Sequence, residues 1–361
     1  MGNNTYKPSN KFNITGFLLI ILAVSGAGCL LSAIYLKINQ INPIVYLTIL
    51  LTCGFGALIG LIANLLIKIF KIRNPGMAIL AVLIGSLVFT YFKWSLYDYW
   101  DYKDAIETMK DKYHVSESDI LKIEPEFERT LGGVITSPST LWKDIKEINK
   151  EGRWSYSSSH SSSSTKTPVK GIPLTIVWVF EAGILLLLPM IMANSKSKCP
   201  FSETDDEWMS EYKTPFMFGN YDVNRNKQLI LNNPDELFNI PYLENLAPRQ
   251  GYIKGILYHS ADFSECYLTL AVQTYNKKND KYDSANVINY LRLSYPQVDR
   301  LFDHCHLNKP FVSTTNYNYQ PQYQTPQQNA PMNNGYAQPT NQQPQSVQSN
   351  SDYVDPDEFF K

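Results

Sequence analysis

One acid stands inside an apolar run. Residues Ile172 to Ala193, IPLTIVWVFEAGILLLLPMIMA, hold Glu181 and no other charged side chain. A run of this length matches a bilayer core of roughly 30 Å as a helix. An ionised carboxylate there is costly unless it is paired, protonated or wetted. The chemistry such a residue offers is an intramembrane proton or cation site, or an internal hydrogen-bond anchor. Glu181 lies about 13 Å of helix rise below Ile172. Lys93 sits close to the outer end of its own run, so the two levels differ and no direct ion pair is expected. The carboxyl is expected to face other helices, protonated or bonded to hydroxyls and backbone.

The remaining chemistry-bearing residues are sparse. His304-Cys305-His306, with Cys199, Cys266 and His259, are zinc-type ligands, but no paired C-x-x-C motif accompanies them. If Cys305 faces a helix interior, the two histidines point elsewhere; neither a metal nor another cofactor is expected. No phosphate-binding loop, nucleophile elbow, H-E-x-x-H or kinase signature occurs, so no catalytic residue is assigned and nothing argues for an enzyme. The cysteines at 29, 53, 199, 266 and 305 give no disulfide framework. A formal net charge of -1, with acids and bases balanced from Ser195 to Pro310, offers no basic face for nucleic acid.

The chain's end has a different character. From Phe311 to Ser351 there is no charged residue, and glutamine, asparagine, proline and tyrosine dominate. Such a segment buries too little apolar surface to fold and reads as a disordered tether. It leads to DYVDPDEFFK, where Tyr353, Asp355, Asp357, Glu358, Phe359 and Phe360 combine steering charges with aromatic anchors. These are the candidate docking residues for a protein partner.

Four apolar runs are expected to cross the bilayer. The first starts at Gly16 and passes Cys29 without a break to Leu36, so it reads as an uncleaved helix rather than a signal peptide or lipoprotein leader. The second covers about Pro43 to Phe70 and the third about Gly76 to Tyr97; the fourth holds Glu181. Gly26, Gly28 and Ser32 on the first, Gly54, Gly56, Ala57, Gly60 and Ala63 on the second, and Ala81, Gly85 and Ser86 on the third allow close helix packing. Lys7, Lys11, Lys68, Lys71 and Arg73 flank one side against Lys37 on the other, which places the arm (1–15), the 68–74 turn and everything after the fourth helix in the cytosol. Tyr91, Phe92, Trp94, Tyr97, Tyr99 and Trp100 form an outer aromatic belt, where Lys93 can snorkel to the headgroups.

The loop from 98 to 171 is then extracytoplasmic. Tyr99, Tyr102, Ile106, Met109 and Tyr113 recur at helical spacing, so the third helix is expected to continue outward. A further helix is expected from about Glu117 to Arg129, and another from Ser137-Pro138 to Gly152, before the flexible serine linker 155–165. After the fourth helix, the acidic cluster Glu203, Asp205, Asp206 and Glu207 precedes a domain ending near 310. Tyr252–His259, Glu265–Tyr275 and Val287–Leu293 read as strands, with a short helix at Asn233-Pro234-Asp235 and a closing helix over Gln297–Leu307. The fold class is thus a mainly α membrane protein: a four-helix transmembrane bundle (16–97 and 172–193), a helical extracytoplasmic loop, a small cytosolic α+β domain (194–310) and a disordered tail.

The turn KIRNP with the later YFKW, the stretch SPSTLWKDIKEINKEGRW from Ser137 to Trp154, and W-V-F-E-A at 178 to 182 resemble a pattern in a group of uncharacterised bacterial multi-pass membrane proteins. The resemblance covers roughly residues 55 to 195 and implies a bacterial cytoplasmic-membrane protein, with no activity attached. Two functions follow as expectations. One is a membrane-anchored interaction or scaffold protein presenting the cytosolic domain and docking tail, with the bilayer and a protein as partners. The other is a transporter or channel subunit using Glu181; four helices without inverted repeats would then require a homo-oligomer.

Overall fold

The computed structural model describes residues 4–41, 45–114, 116, 118–119, 130–156, 167–219 and 222–310. The helical part comprises α1 (Ile14–Ile41), α2 (Val45–Ile69), α3 (Pro75–Tyr113), α4 (Leu131–Thr136) and α5 (Pro138–Glu151). The strand pair β1 (Arg153–Tyr156) and β2 (Thr167–Val169) follows, then α6 (Ile172–Ser197). Helices α1, α2, α3 and α6 are long and apolar enough to cross a membrane, which points to a membrane protein. At most 33% of the residues in any of their apolar windows are buried, so side chains such as Leu22, Leu61, Val179 and Leu187 face outward. A surface of that kind suits lipid better than water.

Local chemistry sets the helix ends. Asn74 caps α3 by accepting from the Met77 amide at 3.0 Å, and Pro75 fills the first turn, where an amide would have no partner. As the spacing predicts, α3 runs on to Tyr113, with Tyr102 and Ile106 buried beyond the apolar segment. Helix α5 also occupies its expected span, after Ser137 and before Gly152, with Leu141 and Ile148 buried. Helix α4 is a difference: LGGVIT is too short to show a period, and the Thr130 side chain caps it by accepting from Gly133 at 3.1 Å. The helix expected over 117–129 lies outside the described residues. Ser155 and Tyr156, expected in the linker, belong to β1, where Tyr156 pairs with Thr167 of β2; residues 157–166 lie outside the described residues.

Glycines set the closest helix contacts. A Cβ at Gly28 of α1 would lie 2.3 Å from the Phe89 ring of α3, and one at Gly85 of α3 would lie 2.7 Å from Val24 of α1. Gly60 of α2 meets Met192 of α6 in the same way, at 2.3 Å. The small residues therefore act as expected between α1 and α3, and they also seat α2 on α6.

The second part of the chain is a small sheet domain. Short strands β3 (Phe201–Ser202) and β4 (Glu207–Trp208) pair with each other. The main sheet contains β5 (Ser210–Glu211), β6 (Phe216–Phe218), β7 (Tyr252–His259), β8 (Cys266–Asn276) and β9 (Lys281–Leu293), all antiparallel, in the order β5-β7-β8-β9 with β6 also on β7. Helix α7 (Val223–Asn232), a short 3-10 helix (Pro234–Asn239) and α8 (Tyr295–His304) complete it. Phe216, Phe218, Leu257, Leu268, Leu270 and Leu291 pack with Ile230 of α7 and with Val298, Leu301 and Phe302 of α8. A reciprocal Ser294–Gln297 capping box starts α8. The three long strands and the two helical segments fall where the sequence places them; β9 begins earlier than expected, at Lys281. Helix α7 and the short strands were not expected.

The N-terminal arm joins this sheet. Thr5 pairs antiparallel with Leu291, the Tyr6 amide donates to the Tyr290 carbonyl at 2.9 Å, and Arg292 donates to the Asn4 carbonyl at 2.7 Å. The arm thus pairs with part of the free edge of β9, which would otherwise present unpaired backbone groups. Tyr6 meets Tyr267 and Tyr290 edge to face, with ring centres 5.2 and 6.2 Å apart, and Tyr258 meets Tyr290 at 5.3 Å. Burial pushes the Tyr6 and Tyr258 hydroxyls up to about 12.

Candidate functional site

Glu181 is buried, with 8% of its surface exposed, and so is Lys93, with 4%. Contrary to the sequence expectation, the two form a direct ion pair through Glu181 Oε1, so Lys93 does not snorkel outward. The reason lies in side-chain direction. Every helical side chain leans toward its own helix N-terminus. Helices α3 and α6 run antiparallel, so Lys93 and Glu181 lean toward each other along the bundle axis. A gap of roughly 7 Å between backbone levels, counted from helix rise alone, is closed by the long lysine stem.

A third group completes the centre. The Tyr35 hydroxyl of α1 donates to Glu181 Oε1 at 2.6 Å and lies 2.9 Å from the Thr52 hydroxyl of α2. Thr52 is also 2.8 Å from the Thr48 carbonyl, and Thr48 donates to Asn39 Oδ1 at 3.1 Å. All four long helices therefore contribute to one polar chain. The carboxyl does bond a hydroxyl, as expected, but its partners include a cation. Trp94 and Trp178 pack edge to face at 5.0 Å, and Lys93 lies 5.1 Å from the Trp94 ring centre. A small gap of about 10 Å³, lined mainly by apolar side chains with Ser32, Tyr35 and Lys93, lies beside the pair. Tyr35 and Thr52 were missed in the sequence because a lone hydroxyl in an apolar run is the least conspicuous polar group there.

A second constellation ties the bundle to the sheet domain. Glu203 accepts ion pairs from Lys11 at 3.0 Å and Arg73 at 2.7 Å, and Asp206 pairs with Lys71 at 2.6 Å. The Trp208 indole donates to the Lys68 carbonyl at 3.0 Å, Lys196 lies over that indole at 4.9 Å, and Arg73 lies over Phe201 at 4.2 Å. The arm crosses the same place, where the Arg73 amide donates to the Lys11 carbonyl at 2.9 Å and the Asn74 side chain to the Asn10 carbonyl at 3.1 Å. Burial alone would raise the Glu203 carboxyl; hydrogen bonds from Ser9, Lys11 and Arg73, and the Arg73 charge, outweigh it and hold the group below its usual range.

The zinc-type residues are not brought together. Cys305 is fully buried, His304 Nε2 sits 2.9 Å from the Ile240 carbonyl with its ring beside Phe218 and Phe238, and His306 packs on Tyr242. Among the described residues no three of His, Cys, Asp and Glu are grouped to hold a metal ion, and all five cysteines are free. Burial pushes the Cys266 and Cys305 thiols up to about 12. Tyr353, Asp355, Asp357, Glu358, Phe359 and Phe360 lie outside the described residues.

The geometry thus defines a bundle of long apolar helices with a charge pair at its centre and a sheet domain clamped to one end. No protein-family model, no curated protein and no solved structure matches the chain.

Proposed function

We propose that the chain is a multi-pass membrane scaffold of the bacterial cytoplasmic membrane, holding its sheet domain against the inner surface and presenting that domain and the C-terminal tail to a protein partner. The observation that carries this reading is the junction at Glu203 and Asp206, where two acids of the domain meet three bases from the arm and the 68–74 turn. A domain held in this way sits at a set place and distance from the bilayer, which is what a scaffold requires. The alternative reading, a transporter or channel subunit, is less favoured by the site itself. The Glu181 carboxylate is already engaged by Lys93 and Tyr35, so an ion would have to break that pair before binding.

Both termini are cytosolic in this proposal. In a cysteine-free variant, a cysteine at position 160 is labelled in intact cells by a membrane-impermeant thiol reagent, and one at position 71 is not. The reverse pattern overturns the orientation. For the scaffold reading, the protein in nanodiscs is used to capture cytosolic proteins, which are then identified. Deleting residues 352–361, or the change Phe359→Ala with Phe360→Ala, is expected to abolish capture, whereas scrambling 311–351 leaves it intact. Capture indifferent to the tip, together with proton- or cation-driven flux in proteoliposomes, would favour the transporter.

A further inference from the structure

We infer that α4 and α5 form an in-plane hairpin seated in the outer headgroup layer of the membrane, with glycerophospholipid headgroups as its ligand. The inference rests on the membrane reading of the four long helices and concerns a part of the chain that the scaffold function does not use. The first observation is a composition break: from Thr130 to Trp142 the chain has no charged residue, although charges crowd the residues before and after. The second is level. The Tyr91 hydroxyl, from within the apolar part of α3, donates to the Ile135 carbonyl at the end of α4 at 2.7 Å. Leu131 packs against the cluster formed by Tyr35, Leu36 and Leu96. At the other end of the hairpin, Asn149 donates to the Thr175 hydroxyl in the first turn of α6 at 2.7 Å, and Gly171 donates to the Asn149 carbonyl at 3.0 Å.

Both ends of the pair are therefore tied to residues at or below the start of the apolar surface of α6, where Ile172 and Ile176 are exposed. A hairpin held there borders lipid. Its outer face has the matching chemistry. Trp142 is 59% exposed, at the border between the buried stripe of Leu141 and Ile148 and the exposed Lys143, Lys146 and Lys150. Lys146 lies over its ring at 5.3 Å. An indole beside lysines suits the boundary between glycerol and phosphate, where the ring is half-buried and the ammonium groups reach phosphate oxygens. Lys143, Lys146 and Lys150 are each followed by an acid, so α5 carries no net charge to steer a charged protein, while phosphate of neutral lipids remains a sufficient partner.

The test places a nitroxide at position 142 (Trp142→Cys, in a variant lacking the native cysteines) in phospholipid nanodiscs and measures its collisions with oxygen and with a water-soluble nickel chelate. Labels at Val179→Cys and Glu147→Cys serve as lipid and water references. The expected result is an oxygen-to-nickel ratio at 142 severalfold above that at 147 and closer to that at 179. Because the side chain at 142 is exposed, the substitution leaves the core untouched. In the unlabelled native chain, Trp142→Phe is also expected to remove part of the fluorescence quenched by lipids brominated near the glycerol. A ratio at 142 equal to that at 147, with 179 in lipid, overturns the inference and leaves the scaffold reading standing. Spin-spin broadening between copies at 142 also overturns it, because a second chain then covers the face. A water-exposed label at 179 overturns the membrane reading itself.

Discussion

Removing one partner of the Lys93–Glu181 pair is the most informative single perturbation. Both groups are nearly inaccessible, with 4% and 8% of their surfaces exposed. Breaking a buried pair by deleting one partner costs about 3–5 kcal/mol, because the other charge is left uncompensated, whereas replacing both by apolar residues is neutral or stabilising. The two single changes are not equivalent. In Glu181→Leu, the orphaned lysine has a long stem and lies near the outer end of the apolar part of α3, so it can swing toward water. In Lys93→Met, the orphaned carboxylate sits about 13 Å down its helix on a short stem, with the uncharged Tyr35 hydroxyl beside it at 2.6 Å. Lys93→Met is therefore expected to cost about 3 kcal/mol, roughly 150-fold in the unfolding equilibrium, and Glu181→Leu clearly less. The double variant returns close to wild type. The assay is unfolding in mixed dodecyl sulfate micelles followed by far-ultraviolet circular dichroism. A double variant as unstable as Lys93→Met, or a harmless Lys93→Met, refutes the argument that this pair is a coupled unit.

Three further outcomes follow from other parts of the molecule. Gly28→Ala, which sets a methyl 2.3 Å from the Phe89 ring, is expected to cost about 1–3 kcal/mol by overpacking, while Gly26→Ala, with no neighbour within 4 Å, leaves unfolding in the same micelles unchanged. Cys266 and Cys305, with thiols pushed up to about 12 by burial, are expected to resist iodoacetamide at pH 8 in the folded protein, while the half-buried Cys199 reacts; mass spectrometry reads the sites. Glu203 is held below the usual glutamate value of 4.5, so its contribution to the junction is fully present above that value and lost as pH falls through the lower folded one. The protection factor of the Tyr6 amide, which removes the intrinsic pH dependence of exchange, is expected to fall in that acid window in the wild type and to stay level over the same pH change in Glu203→Gln. Since the Glu203 side chain is 40% exposed, the effect is modest.

What could be read from the sequence divides along contact range. The apolar helices, the outward run of α3, the span of α5 and strands β7 and β8 each announce themselves through a period or a cap within a dozen residues, and there the expectation and the structure coincide; of β9 only the second half is legible in this way. The pairings that organise the molecule join residues far apart in sequence, and no local pattern encodes them. Tyr35 reaches Glu181 across 146 positions, and Lys11 reaches Glu203 across 192. Lys93 departs from its expected place because helix rise locates only the Cα atoms, whereas side chains on antiparallel helices lean in opposite directions.

In the sequence, Lys11, Lys71 and Arg73 carry only an orientation signal, and Glu203 and Asp206 stand out only as an acidic cluster after the last apolar helix. The structure pairs the two sets. On the proposed orientation the two roles are compatible, because they would act at different stages: unpaired bases bias the orientation of a helix as it enters a membrane, and the acids would reach them only once the fourth helix had followed. On this account the acids depend on the bundle's orientation and do not set it. Glu203→Lys with Asp206→Lys is thus expected to loosen the domain, read as faster exchange at Tyr6, while a cysteine at position 160 keeps its labelling. A change in labelling at 160 would mean that the acidic cluster takes part in setting the topology.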